Sequence, residues 1–377
     1  MMDSLICEYK KCTGCAACFS ICPKNCITMH ADDEGFLCPK IDDSMCINCN
    51  RCKKVCPINK KSMEDNKFPT AFAVKHKNDS VREKSSSGGV FTAVSEIILK
   101  SSGVVIGAGF DENFMVKHKI CNNVESLDEL RRSKYVQSRI GTVLQDTKKY
   151  LDKGINVLFV GTPCQVEGLL SYLGKTYTNL YTIDFICHGV PSPMAWKKYM
   201  EFRRKSANAE ITDISFRSKE LGWKNYSMKI DFSNGNKYSS TVSEDMYLRS
   251  FIMDMDLRPS CYDCHFKTIH HLSDFTVADY WGADKQIPEW NDNKGISLVL
   301  AHSEKAINLL AECNSVDVLE VPFERAIEGN PSLTTSVKQP NLRKKFMREI
   351  QLKSFDKLHD KYCGNNILAK VRRKMPG

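Results

Sequence analysis

The chain has 377 residues, 18 of them cysteine, and carries 54 Lys and Arg against 45 Asp and Glu, a formal net charge of +9. That length exceeds a small redox module several-fold, so a second unit with its own core is expected. The basic residues match no nucleic-acid motif, no apolar run approaches the ~20 residues needed to span a bilayer, and residues 1–11 lack an apolar signal core, so the cysteines read as reduced thiols in a cytoplasm.

Between Cys12 and Pro57 one run occurs twice: Cys12, Cys15, Cys18 and Cys22 before Pro23, then Cys46, Cys49, Cys52 and Cys56 before Pro57. This is the ferredoxin-type spacing, in which three thiolates wrap one 4Fe-4S cubane and the fourth reaches the neighbouring one. The expected ligand sets are Cys12, Cys15 and Cys18 with Cys56, and Cys46, Cys49 and Cys52 with Cys22. Around the Asp33-Glu34-Gly35 turn, residues 26–29 and 36–41 are expected to form short strands. The polar stretch 61–69 reads as a linker.

Beyond it, Ser85-Ser86-Ser87-Gly88-Gly89 opens an apolar helix face of Val90, Val94, Ile97 and Ile98. A glycine-rich helix start of this kind suits a phosphate, here the pyrophosphate of a flavin dinucleotide. A strand at 104–110 follows, then a helical stretch at 127–132 that delivers Ser133 to Ser138. Residues 155–160 form a β-branched strand ending at Gly161-Thr162-Pro163-Cys164, a short helix closes at Gly174, and a strand at 180–186 ends at Cys187-His188-Gly189. A strand, helix, strand crossover makes the two strands parallel. Met228, Ile230 and Phe232 alternate with polar residues before Asn234-Gly235, which indicates a hairpin. A strand at 296–300 and helical stretches complete the chain. Arg343, Lys344, Lys345, Arg348, Lys370, Arg372, Arg373 and Lys374 gather near the end as a solvated helix face, open to an acidic partner or an anionic membrane surface.

The expected fold is thus α/β, a parallel-sheet core with an antiparallel β insertion, behind a bacterial-ferredoxin-like α+β module. Its bounds are 1–60 for the two-cluster module, 61–69 for the linker and 70–377 for the larger unit, with a basic helical tail from residue 340.

Cys164 and Cys187 each stand just past the end of one of two parallel strands, so both emerge on the edge of the sheet where ligand sites occur. Neighbouring strands lie about 4.8 Å apart, a span that a cubane and its thiolates bridge. Cys261 and Cys264, a C-x2-C pair, can complete a third four-thiolate site. Two alternatives stand beside it: zinc held by Cys261 and Cys264 with His265, His270 or His271, and an activated Cys187 thiol beside His188. Cys7, Cys26, Cys38, Cys121, Cys313 and Cys363 are expected to be ordinary buried thiols.

Six motifs in fixed order, Ser-Ser-Gly-Gly at 86–89, Ser-Lys-Tyr-Val-Gln-Ser at 133–138, Gly-Thr-Pro-Cys-Gln at 161–165, Cys-His-Gly-Val-Pro-Ser at 187–192, Arg-Pro-Ser-Cys-Tyr-Asp-Cys at 258–264 and Asp-Tyr-Trp-Gly at 279–282, resemble the coenzyme F420 hydrogenase/dehydrogenase beta subunit family. The resemblance implies an iron–sulfur flavoprotein in which FAD exchanges a hydride with a deazaflavin, coenzyme F420, and a nearby 4Fe-4S cluster exchanges single electrons with partners. It implies Cys164, Cys187, Cys261 and Cys264 as that cluster's ligands. Ser86, Ser87, Gly88 and Gly89 resemble a flavin phosphate loop, with Lys134, Gln137 and Ser138 at the flavin's polar edge.

The expected function is an oxidoreductase that relays single electrons, from a redox partner protein or reduced ferredoxin, to FAD and a small-molecule hydride acceptor. No catalytic side chain is assigned. Two other readings use the same residues: an electron-transfer subunit without its own substrate, and a reductase of a glycan precursor or other metabolite.

Overall fold

Period-two alternation and β-branched runs become thirteen strands among the residues that the computed structural model describes, 6–60, 68–365 and 369. Positions 61–67 of the expected linker, and Lys370, Arg372, Arg373 and Lys374 of the basic tail, lie outside the described residues. In chain order the strands are β1 (Ile27–Ala31), β2 (Leu37–Ile41), β3 (Thr70–His76), β4 (Val104–Phe110), β5 (Val116–Cys121), β6 (Val157–Val160), β7 (Leu180–Phe185), β8 (Ile211–Ser218), β9 (Ser227–Phe232), β10 (Lys237–Thr241), β11 (Phe275–Asp279), β12 (Ser297–Ala301) and β13 (Val316–Val321).

The N-terminal unit is the β1–β2 hairpin with two short helices, Ala17–Ile21 and Arg51–Val55, each inside one half of the cysteine repeat, between its second and fourth cysteines. The larger unit is built on an eight-stranded sheet of order β13-β3-β12-β11-β7-β6-β4-β5. Its centre, β11, β7, β6 and β4, is parallel, as the crossover requires. The sheet is mixed rather than purely parallel, because β12 and β13 run antiparallel to their neighbours on one flank and β5 does so on the other. A separate three-stranded antiparallel sheet, β10-β9-β8, carries the expected hairpin.

Two local expectations are corrected. The stretch 127–132 is not an α-helix; a 3-10 turn at Glu125–Glu129 stands there, its start held by Asn123 accepting from the Ser126 N–H. The region read as wholly helical after residue 300 contains β13, whose Val316, Val318 and Val321 make a β-branched strand beside β3.

The two units share one core. Ala17, Val55 and Ile6 pack with Val143, Leu144, Val166 and Leu169 of the larger unit. Polar ties reinforce this: Arg343 forks onto Glu34, with Nη1 at 2.7 Å from Oε1, and Gln137 Oε1 accepts from the Leu37 N–H at 2.9 Å. Arg343 is therefore buried in the seam between units, not part of a solvated basic face. Lys344, Lys345 and Arg348 are exposed, as expected of a solvated face.

Candidate functional site

Among the described residues, cysteines line the following three cavities. The first holds Cys12, Cys15, Cys18 and Cys56; the second holds Cys22, Cys46, Cys49 and Cys52; these are the crossed sets that the repeat predicts. They enclose similar volumes, about 340 and 350 Å³ including their mouths. Left-handed Ala16 and Asn50 (φ 62° and 57°) begin the two short helices at equivalent points, so both halves turn the chain alike. Cys49 is exposed, whereas Cys15, Cys18 and Cys56 are buried.

The third cavity, about 520 Å³ with its mouth, lies at the carboxyl edge of the parallel strands and is lined by Cys164, Cys187, Cys261 and Cys264. Three separate segments supply them. Thr162 and Gln165 form a capping box, and Pro163 takes the first helical position of the helix Pro163–Leu173, which places Cys164 in its first turn. A helix start favours negative charge there. Cys187 follows β7, and the 3-10 turn Pro259–Asp263 presents Cys261 and leads into Cys264. Backbone N–H of Val190 donates to Cys261 Sγ at 3.4 Å. Burial pushes the Cys187 thiol up to about 12 and Cys261 up to about 11, and raises Cys164 and Cys264 too. Four such thiols ionise only against a cation, and Arg258 and Lys267 in the cavity wall offset part of their charge.

The alternatives fare less well. His188 Nε2 is held by Asp254 Oδ1 at 2.6 Å, and burial pushes the Cys187 thiol up rather than toward the thiolate that a nucleophile needs. Zinc on Cys261 and Cys264 would leave Cys164 and Cys187 in the same cavity unused, and His271 Nδ1 is bound to Asp184 at 2.8 Å. Among the described residues, no three Cys, His, Asp or Glu side chains gather tightly enough for a single ion. Cysteines spaced around a cavity suit a cage with its own body.

The first and third cavities adjoin. Thr13 lines both, and Cys15 packs on Gly168 so closely that a Cβ there would fall 2.8 Å from Cys15 Cβ. Arg258 clamps the junction, with Nε donating to Cys12 O at 2.6 Å and Nη2 to Leu37 O at 3.1 Å.

The residues expected to meet a flavin are only partly brought together. Ser86 Oγ accepts from the Ser133 N–H at 2.8 Å, while Ser87 Oγ donates to Ile296 O and the Gly88 N–H donates to Ser297 Oγ, so the loop is tied to β12. Gly89 caps the helix Val90–Lys100 at φ 95°. Burial and the charges of Arg132 and Lys119 push Lys134 down to about 7, and its Nζ donates to Arg131 O and Arg132 O. Gln137 faces the N-terminal unit, and Ser138 Oγ pairs with His118 Nδ1 at 2.7 Å, so neither reaches the serine loop.

Unforeseen residues complete that corner. Lys219 Nζ donates to Ser87 O, Arg82 O and Lys294 O, each at 2.7 Å. Arg217, buried and paired with Asp279, leaves Nε and Nη2 without hydrogen-bond partners and lies over the rings of Tyr226 and Trp281. A register shift between Ser215 and Ser218 re-aims this end of β8. The signal available was two basic residues, Arg217 near the end of β8 and Lys219 just past it. From the third cavity, His188 stands edge-on to Phe251 (5.1 Å), and Phe251 stacks on Tyr135 (4.7 Å) beside Arg217.

Cysteine-lined cavities of this kind, two of them in a ferredoxin-type repeat, define an iron–sulfur electron-transfer protein. Residues 154–324 match the model for the C terminus of the coenzyme F420 hydrogenase/dehydrogenase beta chain, and residues 11–60 match that of 4Fe-4S dicluster domains. The chain therefore joins a 4Fe-4S dicluster module, at residues 11–60, to a region that matches the C-terminal model of the coenzyme F420 hydrogenase/dehydrogenase beta subunit. An uncharacterized ferredoxin of Methanocaldococcus jannaschii is 34% identical over 59 residues, 16% of this chain and 75% of that protein. A chain of the F420-reducing [NiFe] hydrogenase complex of Methanosarcina barkeri, in a xenon-derivatized structure, aligns at 15% identity and TM-score 0.48, over 77% of this chain and 94% of its own. No helix among the described residues is long and apolar enough to cross a membrane.

Proposed function

We propose that twelve cysteines hold three 4Fe-4S clusters, and that the chain is an oxidoreductase that pairs single electrons for a two-electron acceptor. The carrying observation is the junction of the first and third cavities: Thr13 lines both, and Cys15 packs on Gly168 of the helix whose first turn carries Cys164. Bound clusters supply one-electron exchange and bound FAD both one- and two-electron exchange, enough to combine two electrons and a proton as hydride.

The protein's own part is placement. Arg258 fixes the Cys12 loop against the segment bearing Cys261, which keeps the ligand sets of two cavities in register. Arg217 supports the flavin reading, because its buried unpaired donors near Lys219, which itself holds Ser87 O, suit an anionic group, and the faces of Tyr226 and Trp281 suit a planar one. The electron source in this reading is a redox partner protein or reduced ferredoxin, and the acceptor is coenzyme F420 or another small molecule. A second reading, an electron-transfer subunit without its own substrate, is favoured by the serine loop's own hydrogen bonds to β12, which occupy the Ser87 hydroxyl and the Gly88 N–H.

Flavin release decides between them. Anaerobically purified protein, denatured after incubation with FAD, should yield iron and a released flavin, and an anaerobic screen of deazaflavin against other acceptors should then identify the substrate. Iron without flavin would leave the second reading standing.

A further inference from the structure

Cys7 and Cys26 do not behave as ordinary core thiols. Each lies in one N-terminal cavity beside the four cysteines already assigned to it, Cys7 in the first and Cys26 in the second. Cys26 Sγ is 3.4 Å from Cys22 Sγ and within hydrogen-bond reach of Cys46. Cys7 hydrogen-bonds with Cys12 and Cys56. In both cavities the fifth thiol therefore sits between the first cysteine of one run and the last cysteine of the other.

The repeat itself did not place them. The position equivalent to Cys7 in the second half is Ile41, and the position equivalent to Cys26 is Lys60. One thiol comes from the segment before the 3-10 turn Tyr9–Lys11, the other from the residue before β1. Two unrelated sequence positions thus reach the same spatial position in the two halves.

We propose that Cys7 and Cys26 are positioning residues that donate S–H hydrogen bonds to cluster-ligand sulfurs and raise the reduction potentials of the two N-terminal clusters. The inference rests on the cluster assignment above. A cubane takes four thiolates, so a fifth cysteine is not needed as a ligand and its S–H can donate to a ligand sulfur. Reduction adds negative charge to the cage and its sulfurs, and a donor aimed at a ligand sulfur stabilises the reduced form more than the oxidised one.

The test uses the full chain, reconstituted anaerobically with iron and sulfide, as wild type and as C7A and C26A. Bound iron is measured, and each cluster is titrated by spectroelectrochemistry. Each alanine variant should keep its iron while one cluster becomes harder to reduce, by roughly tenfold in its equilibrium, which is about 59 mV for one electron. C7S and C26S, which still donate, should recover much of the shift. Should alanine prevent folding, C7V and C26V fill a similar volume without a donor and give the same reading. Unchanged potentials at full iron would overturn the inference, and so would loss of a cluster's iron, which would make the thiol a ligand. Wild-type protein that takes up no cluster would overturn the cluster assignment itself, a distinguishable result.

Discussion

The N-terminal pair of cavities and the cavity at the sheet edge are lined by the same residue type but are assembled in opposite ways. In the first region all eight expected ligands come from one stretch of chain, Cys12 to Cys56, and a tight repeat with a hairpin and two short helices brings them together. In the second, ligands from three segments meet only because β6 and β7 are parallel neighbours and the turn at Pro259–Asp263 folds over their ends. A local site needs its own spacing; the distant one needs the whole sheet. The two are nevertheless joined, since Thr13 and Arg258 belong to one region and contact the other.

The largest expected effect separates the regions outright. Replacing Cys164 and Cys261 together by serine should lower bound iron from about twelve atoms to about eight per chain, at four per cubane, and leave the N-terminal pair loaded. Iron that does not fall would retire the sheet-edge site. Next comes the seam: Arg343→Ala leaves Glu34 without its partner and should cost about 2 kcal/mol, less than for a fully buried pair because Glu34 is partly exposed. Denaturant melts would measure this, and limited proteolysis should release the N-terminal unit more readily, whereas wild-type protection would show that the shared apolar core alone holds the units together.

The smallest effect concerns the sheet-edge region alone. Burial pushes the Asp256 carboxyl up to about 7. The folded protein keeps this proton to near neutrality while the unfolded chain loses it near the ordinary value, so stability falls as pH rises toward 7. Between pH 6 and pH 8 the loss from this group is about 1 kcal/mol, and Asp256→Asn should remove it. Equal pH slopes for wild type and variant in urea melts would refute the assignment.

Legibility followed the same division. The crossed sets of cysteines that line the N-terminal cavities could be read from spacing, because a repeat with its turns fixes local geometry without help. The quartet at the sheet edge needed one inference more, that strands joined by a short helix run parallel, and the adjacency of β6 and β7 bears that topology out. What lay hidden depended on packing across long separations. Arg343 looked like one member of a basic tail, yet its guanidinium reaches Glu34, more than three hundred residues away in the chain. Arg217 offered only an alternating strand, and its unpaired donors become visible when Asp279, Tyr226 and Trp281 surround it. Gln137 and Ser138 share a motif with Ser133, but a bend between them sends Gln137 to the N-terminal unit and Ser138 to His118.

The exposure of Cys49 carries a cost for the living cell. Oxygen and peroxide reach an exposed sulfur first, so with the proposed clusters bound, oxidative damage in air would begin at the one held by Cys49 before those held by buried cysteines. The opening that lets a donor come near is also the weak point in an aerobic world.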